Sequence, residues 1–379
     1  MPKQQPPSYF SSKQRAAFRQ ALLAWYGKHA RILPWRETDN PYHIWLSEIM
    51  LQQTRVDQAK PYFERFVTAF PTVTDLADAP LDVVLLNWEG LGYYSRARNL
   101  HKAAKLVVSE FLGEVPDTHE DIISLPGIGP YTAAAVLSIA YSKPYGVLDG
   151  NVIRVITRLT CNGDDHTKGK IRRHLQAVSD ELVSPDAPGD FNQGMMELGA
   201  TVCTPTKPDC PTCPVQAHCC AFASGSMESF PFVKKKAPIP HYDIAVAIIR
   251  NEKNELLIQR RPEDGMLGGL WQFPGGKKEP EESLAGACHR EIKDELAIDI
   301  SIEQPFHTLS HAYTHFKITL HAFLCRIESG TPAPKNDTPL QWVSMVQLND
   351  FAFARSNRRL IEQLIKQQTT PGLFDTPLP

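Results

Sequence analysis

Long apolar runs are missing from this chain: nowhere do hydrophobic residues approach the ~20 in succession that a bilayer span requires, which argues against a membrane role. An apolar signal stretch is missing too. The chain opens Met-Pro-Lys-Gln-Gln, so the expected compartment is reducing and cytoplasmic. Charge of one sign is not in excess: the net charge of −2 lends no support to a nucleic-acid partner, and any basic surface must be a local patch. No internal repeat is detectable. What remains, with 42% hydrophobic and 22% charged residues over 379 positions, is a globular chain of two or three domains, expected to act as a monomer.

Cysteine is scarce, eight in all, yet four crowd together as Cys203, Cys210, Cys213 and Cys219. Their C-x6-C-x2-C-x5-C spacing, stiffened by Pro205, Pro208, Pro211 and Pro214, can bring four thiolates onto one soft centre, either a cubane iron-sulfur cluster or a structural zinc. Disulfides within this ladder are disfavoured in a reducing compartment. Cys161, Cys220, Cys288 and Cys325 fall outside the spacing and read as ordinary buried or partly buried thiols.

Composition shifts across 224–240, where a Gly/Ser segment leads into Phe-Pro-Phe-Val-Lys-Lys-Lys-Ala-Pro-Ile-Pro, which cannot continue a helix and reads as a linker. Before it, apolar residues recur at three- and four-residue spacing over 18–26, 44–56, 103–111, 133–140 and 153–159, predicting a helical half. After it, β-rich runs at 243–250, 255–261 and 316–327 surround one helix at 282–296, predicting an α+β domain.

Within the helical half, Leu125-Pro126-Gly127-Ile128-Gly129-Pro130-Tyr131-Thr132 joins two helical segments as a helix-hairpin-helix turn, expected near 118–142. Its glycines, Gly127 and Gly129, let backbone N–H groups approach a phosphate, and the next helix N-terminus adds favourable partial charge, so the motif grips DNA backbone without reading sequence. Farther on, Val147-Leu148-Asp149-Gly150-Asn151 delivers an aspartate to another helix start. Capping alone would account for Asp149, at about 1 kcal/mol. Upstream, Glu48 lies in a helix opened by Asp39-Asn40-Pro41, on an apolar face beside Ile44 and Ile49. Burial there would raise its pKa and keep a proton available near neutrality.

A helix-hairpin-helix followed by Val-Leu-Asp and then by four cysteines resembles the endonuclease III superfamily of base-excision DNA glycosylases, over most of residues 10–220. Members that also cut the strand carry a lysine after the Gly-Pro pair; this chain has Tyr131, so the resemblance implies a monofunctional, base-releasing enzyme. The runs Leu33-Pro34-Trp35-Arg36, Ser47-Glu48-Ile49-Met50-Leu51-Gln52-Gln53-Thr54 and Trp88-Glu89-Gly90-Leu91-Gly92-Tyr93-Tyr94 look like the MutY-type adenine DNA glycosylases. That resemblance implies action on chromosomal double-stranded DNA, with removal of adenine opposite 8-oxoguanine or guanine. Glu48 would be the general acid, Asp149 the group beneath the sugar, and Tyr131 and Asn151 its hydrogen-bonding tuners. Gln53 and Tyr93 match intercalating positions that fill the gap left by a flipped base, while Arg31, Trp35, Leu51 and Glu197 match positions lining the base pocket. It further implies a 4Fe-4S cluster on Cys203, Cys210, Cys213 and Cys219.

In the second half, Gly276, Glu282, Arg290, Glu291, Ile292, Lys293, Asp294, Glu295, Leu296 and Ala297 look like the Nudix box of MutT-type pyrophosphohydrolases. Glu291 and Glu295 with Asp294 could hold magnesium, although Asp294 and Ala297 stand where Glu and Gly are usual. MutY-type enzymes keep this fold for recognition, through a Phe-Ser-His loop sensing 8-oxoguanine. Its match here is Tyr313-Thr314-His315, with Leu309-Ser310-His311 as competitor. The tail Gln367-Gln368-Thr-Thr-Pro-Gly-Leu373-Phe374 could dock on a sliding clamp.

The expected architecture is therefore multidomain. An all-α glycosylase core at 1–223, with its iron-sulfur loop at 203–219, is followed by a linker at 224–240, an α+β Nudix-like domain at 241–367 and a tail at 368–379. Rival readings are a thymine/guanine mismatch glycosylase, a Nudix pyrophosphohydrolase with a DNA-binding appendage, and a non-catalytic damage binder.

Overall fold

The computed structural model describes residues 9–234 and 238–368. From residue 369 onward the candidate clamp-docking tail lies outside the described residues. Two units emerge: Met1–Asp78 with Asn99–Lys236, and Ala79–Arg98 with Ala237–Pro379.

The first unit is helical. Its elements are α1 (Ser12–His29), α2 (Pro41–Leu51), α3 (Val56–Ala69), α4 (Val73–Asp78), the larger part of α6 (Ser95–Glu110), α7 (His119–Ser124), α8 (Pro130–Tyr141), α9 (Gly150–Leu159), α10 (Gly169–Leu182), α11 (Pro188–Thr201) and the short α12 (Cys220–Ala223). Asn40 opens α2 as anticipated, its Oδ1 accepting from the Tyr42 N–H at 2.9 Å with Pro41 in the first turn. The expected 44–56 helix is broken in two after Leu51, because Gln53 adopts a left-handed φ of +56° that no continuous helix accommodates. Phe18, Leu22, Val152, Ile156, Leu175, Phe191 and Leu198 pack one core between α1, α9, α10 and α11. Gly199 lets α11 approach α9 closely: a Cβ there would stand 2.6 Å from the Cβ of Asn151.

Two cysteines depart from expectation. Cys161 and Cys220 form a disulfide rather than lying as separate thiols. Cys161 follows the end of α9 and Cys220 begins α12; the packing of those helices brings their Cα atoms within 5.6 Å, inside bridging range. Cys288 and Cys325 are buried free thiols as read.

In the second unit, sheet order β4-β1-β6-β5 comprises β4 (Gly275–Lys277), β1 (His241–Ile249), β6 (Lys317–Ser329) and β5 (Asp299–Ala312). A smaller sheet, β3-β2-β7, is made of β3 (Trp271–Gln272), β2 (Leu256–Arg260) and β7 (Leu340–Val343). β1 runs parallel to β6 and antiparallel to β4, while β5 and β6 form a long antiparallel hairpin. Alternation in β1 assigns its two faces to two cores. Val246 and Ile248 join Leu360, Ile361 and Leu364 of α14 (Arg355–Gln368), whereas Ala245, Ala247 and Ile249 meet Ala287, Ile292 and Leu296 of α13 (Leu284–Leu296).

The segment containing α5 (Leu81–Trp88), expected inside the helical domain, groups instead with the second unit. Glu89 explains part of this: its carboxylate accepts from Arg358 at 2.5 and 2.9 Å and from the Phe353 N–H at 3.0 Å. Tyr94 donates to the Phe353 carbonyl at 3.2 Å and Arg98 to that of Gly268 at 2.6 Å.

Ala297 closes α13 in the left-handed region at φ +57°, the helix end where glycine is the usual residue. An L-side chain there costs roughly 1 kcal/mol. Ala297→Gly is accordingly expected to raise stability by about 0.5–1 kcal/mol, read by denaturant unfolding; an unchanged or lower midpoint would contradict it.

Candidate active site

A cavity of about 820 Å³ opens in the helical unit. The helix-hairpin-helix frames one side: α7 leads through Gly127, at φ +81°, to Gly129, which caps α8 without a side-chain bond. A Cβ on Gly127 would come 2.8 Å from that of Asn99, so only glycine fits the turn undisturbed. The first N–H groups of α8 therefore remain available to an anion.

Glu48 projects from α2 into this cavity and is only 5% exposed. Burial, reinforced by the charge of Asp149, pushes its carboxyl up to about 7, against the lowering pull of Tyr131 and Arg36. Tyr131, in the first turn of α8, donates its O–H to Glu48 Oε2 at 2.5 Å and lies 3.2 Å from Met196 Sδ. Tyr131 carries no amine and so cannot itself form a Schiff base.

Asp149 caps α9, as its residue type alone allowed, and also lines the cavity. Oδ1 accepts from the Val152 N–H at 2.7 Å and Oδ2 from Asn151 Nδ2 at 3.0 Å. Burial raises its pKa, opposed by the Val152 N–H, Asn151 and Arg154. Arg154 in turn holds Asn151, donating from Nη2 to Asn151 Oδ1 at 2.8 Å and to the Gly199 carbonyl at 2.7 Å.

Glu197 is buried within α11, not on a helix surface, at 1% exposure. Arg31 grips it with Nε at 2.7 Å and Nη2 at 2.9 Å, and Arg36 adds Nη2 at 2.9 Å. Burial favours its neutral form, but the hydrogen bonds from Arg31 and Arg36 outweigh that and hold its pKa below the ordinary carboxylate range. Trp35 is buried edge-on against Phe63, and Trp35, Leu51 and the exposed Gln53 line the same cavity. Arg36 and Gln52 also line it without having been assigned roles; both sit in the quoted motif runs, which were the available signal.

Tyr93 lies in the other unit. Its φ is +49° and its hydroxyl shares a hydrogen bond with Thr314 Oγ1. Tyr313 through Phe316 form the tip of the β5–β6 hairpin, with the Tyr313 N–H bonded to the Phe316 carbonyl at 2.9 Å. Tyr313 stacks on Phe316, while Thr314 and His315 are exposed. The competing Leu309-Ser310-His311 is paired within β5, its leucine buried.

Cys203, Cys210, Cys213 and Cys219 line one small cavity with Arg158. All four are free thiols, and burial pushes Cys213 up to about 12. Arg158, missed in the sequence, is 1% exposed and ties the loop together from α9: it donates to Cys203 Sγ at 3.2 Å and to the carbonyls of Thr204, Pro205, Met227 and Phe230. Among the described residues, no group of three or more His, Cys, Asp or Glu is arranged to hold a metal ion. The soft-donor set nevertheless suits a cluster, whose charge would favour thiolates. On α13, Glu291 is paired with Arg290 at 2.7 Å and Asp294 is exposed.

Helical core, buried acid and capped aspartate together define a DNA glycosylase of the helix-hairpin-helix class. Residues 46–180 match the HhH-GPD superfamily of base excision DNA repair proteins, and 245–363 match the Nudix domain. The adenine DNA glycosylase of Rattus norvegicus is 34% identical over 91% of this chain and 77% of its own length. That of Buchnera aphidicola subsp. Acyrthosiphon pisum is 33% identical over 92% and 98%. A solved thermostable thymine-DNA glycosylase is 29% identical with a TM-score of 0.51, covering 56% of this chain and 98% of its own. The chain belongs to the adenine DNA glycosylases, enzymes of base-excision repair. No helix among the described residues is long and apolar enough to cross a membrane.

Proposed function

We propose that the chain removes adenine mispaired with 8-oxoguanine or guanine, by a monofunctional route. The observation that carries the chemistry is Glu48, buried beside Tyr131 and lining the same cavity as Asp149. Flipping costs a few kcal/mol and needs both a pocket and a wedge. Arg31, Trp35, Leu51 and Glu197 supply pocket walls, and Gln53 and Tyr93 serve as wedges. Neutral Glu48 gives its proton to a ring nitrogen of the extruded adenine. The C1′–N9 bond then breaks with its electron pair leaving on the base, and the sugar gains oxocarbenium character. Asp149 stabilises or captures that carbon, Asn151 fixing the carboxylate's orientation. Water adds to the sugar carbon, and its proton returns to Glu48.

Cys203, Cys210, Cys213 and Cys219 would hold a 4Fe-4S cluster, which supplies a cross-link stiffening the loop that Arg158 anchors. Absorption near ~400 nm is the expected result for the purified protein, and a colourless, zinc-loaded, fully active protein would overturn the iron-sulfur reading. For the opposite base, the exposed hairpin tip of Thr314 and His315 favours Tyr313-Thr314-His315 as the sensing triplet.

The test is single-turnover base release from duplexes bearing adenine opposite 8-oxoguanine, adenine opposite guanine, and thymine opposite guanine. Free adenine without strand cleavage is expected, and His315→Ala should narrow the preference for 8-oxoguanine over guanine. The thymine-DNA glycosylase likeness makes thymine release the specific alternative. Preferential loss of thymine, or tight binding with every base retained, overturns the proposal.

A further inference from the structure

Cys161 and Cys220 are bridged across 59 residues with Cα atoms 5.6 Å apart, both within the helical unit. Cys220 directly follows Cys219, the last of the four thiols converging on the small cavity, and starts α12. Cys161 lies just beyond the end of α9, with a left-handed φ of +51° that an L-side chain disfavours. The bridge therefore closes one side of the ligand loop onto α9. Arg158, in the last turn of the same helix, holds the other side through Cys203, Thr204 and Pro205. Cys219 Sγ lies 3.6 Å from the Arg158 carbonyl, so the final thiol of the set rests against the helix end that the bridge grips. This bridge faces solvent: Cys220 is exposed and Cys161 half-buried. Exposed bridges are the labile kind that small thiols open and small disulfides form again. Cys288 and Cys325, both 0% exposed, are shielded from such reagents.

We propose that Cys161 and Cys220 form a reversible thiol–disulfide exchange site for small thiols and disulfides of the glutathione type, and that its closed form latches the ligand loop to α9. In closing, Cys220 Sγ attacks one sulfur of the small disulfide and expels the first small thiol. Cys161 Sγ then attacks Cys220 Sγ and expels the second. Two protein thiols are oxidised, one small disulfide is reduced, and the two protons pass to the departing thiols. Opening is the reverse, with two small thiols as reductant. The consequence follows from chain entropy: a cross-link spanning 59 residues removes many of the open conformations that an unlatched loop visits. With the latch closed, Cys203, Cys210, Cys213 and Cys219 stay gathered whether or not a metal centre holds them. With it open, the C-terminal end of the loop relies on that centre. Neither Cys161 nor Cys220 lines the cavity of Glu48 and Asp149, so the latch acts on the loop and leaves base release alone.

The test equilibrates the full chain with reduced or oxidised glutathione, blocks free thiols with iodoacetamide without denaturation, and maps the peptides by mass spectrometry. A peptide linking Cys161 to Cys220 is expected in the oxidised sample and alkylation of both in the reduced one, with Cys288 and Cys325 untouched in each. Limited proteolysis of the metal-free protein should then cut the ligand loop at least ~10-fold faster after reduction. In loaded protein, an iron chelator should bleach the absorption near ~400 nm faster by a similar factor. Cys161→Ser should show the fast rates under both conditions while releasing adenine as the reduced wild type does. A bridge that glutathione cannot open in the folded chain, a link from Cys161 to Cys219 instead, or cutting and bleaching rates indifferent to oxidation overturns the proposal. The proteolysis needs no metal, so a failed iron-sulfur reading is distinguishable from a failed latch.

Discussion

Glu48→Gln is expected to lower the single-turnover rate of adenine release by about 10²- to 10⁴-fold while leaving duplex binding nearly intact, because the amide fits the same space but has no proton to give. The acid must be neutral to act, and its pKa is raised to about 7 by burial. The wild-type rate should therefore be level below that pH and fall tenfold per unit above it. The same substitution should stabilise the protein. Between the ordinary carboxylate range and about 7, the unfolded chain has lost this proton while the folded chain keeps it, so stability declines as pH rises through that window. Glutamine escapes the decline. At pH 8 the variant should be more stable by up to about 3 kcal/mol, and below pH ~4 the difference should vanish. A variant that retains activity, or is equally stable at both pH values, would refute the assignment.

Glu197→Ala should act oppositely, on stability first. Removing one member of a buried ion pair costs about 3–5 kcal/mol because the remaining charge is stranded. Here two guanidiniums lose their partner, but Arg31 is 40% exposed and can turn to water, which places the expected loss near 3 kcal/mol. That corresponds to a fall of roughly 6–12 °C in Tm for a unit of this size. Because Glu197 is held below the ordinary carboxylate range, its contribution is present above that range and is lost as pH falls through the lower, folded value. The cost of the substitution should shrink accordingly in acid. Thermal unfolding at pH 7 and pH 3.5 checks both parts, and a loss under ~1 kcal/mol at neutral pH would exclude a stabilising clamp.

What was legible in the sequence was local. Asn40-Pro41 and Asp149-Gly150 are helix starts whose chemistry is complete within a few residues, and the cysteine ladder is compact. What was illegible depended on chain return. Arg158 meets Cys203 45 residues later, and Cys161 meets Cys220 across 59, through helix packing that no spacing records. Strand β5 escaped notice for another reason. Its register shifts between Ile302 and Gln304 and between Pro305 and His307, which destroys the alternation that marks a strand. Glu197 was placed in the pocket by resemblance, but its grip by Arg31 and Arg36 could be known only once two distant segments met.

The assignment of Ala79–Arg98 to the second unit interlaces the two halves of the polypeptide. Truncation at residue 236 would strip the segment Ala79–Arg98 of its companions: Glu89 would lose Arg358, Tyr94 the Phe353 carbonyl, and Leu85 its neighbour at Gly269. A shortened enzyme with poor activity would then report a wounded glycosylase, with an unsupported stretch carrying Tyr93, as much as a missing sensor. Point changes at the hairpin tip, which leave that seam closed, are the cleaner instrument for dissecting recognition from catalysis.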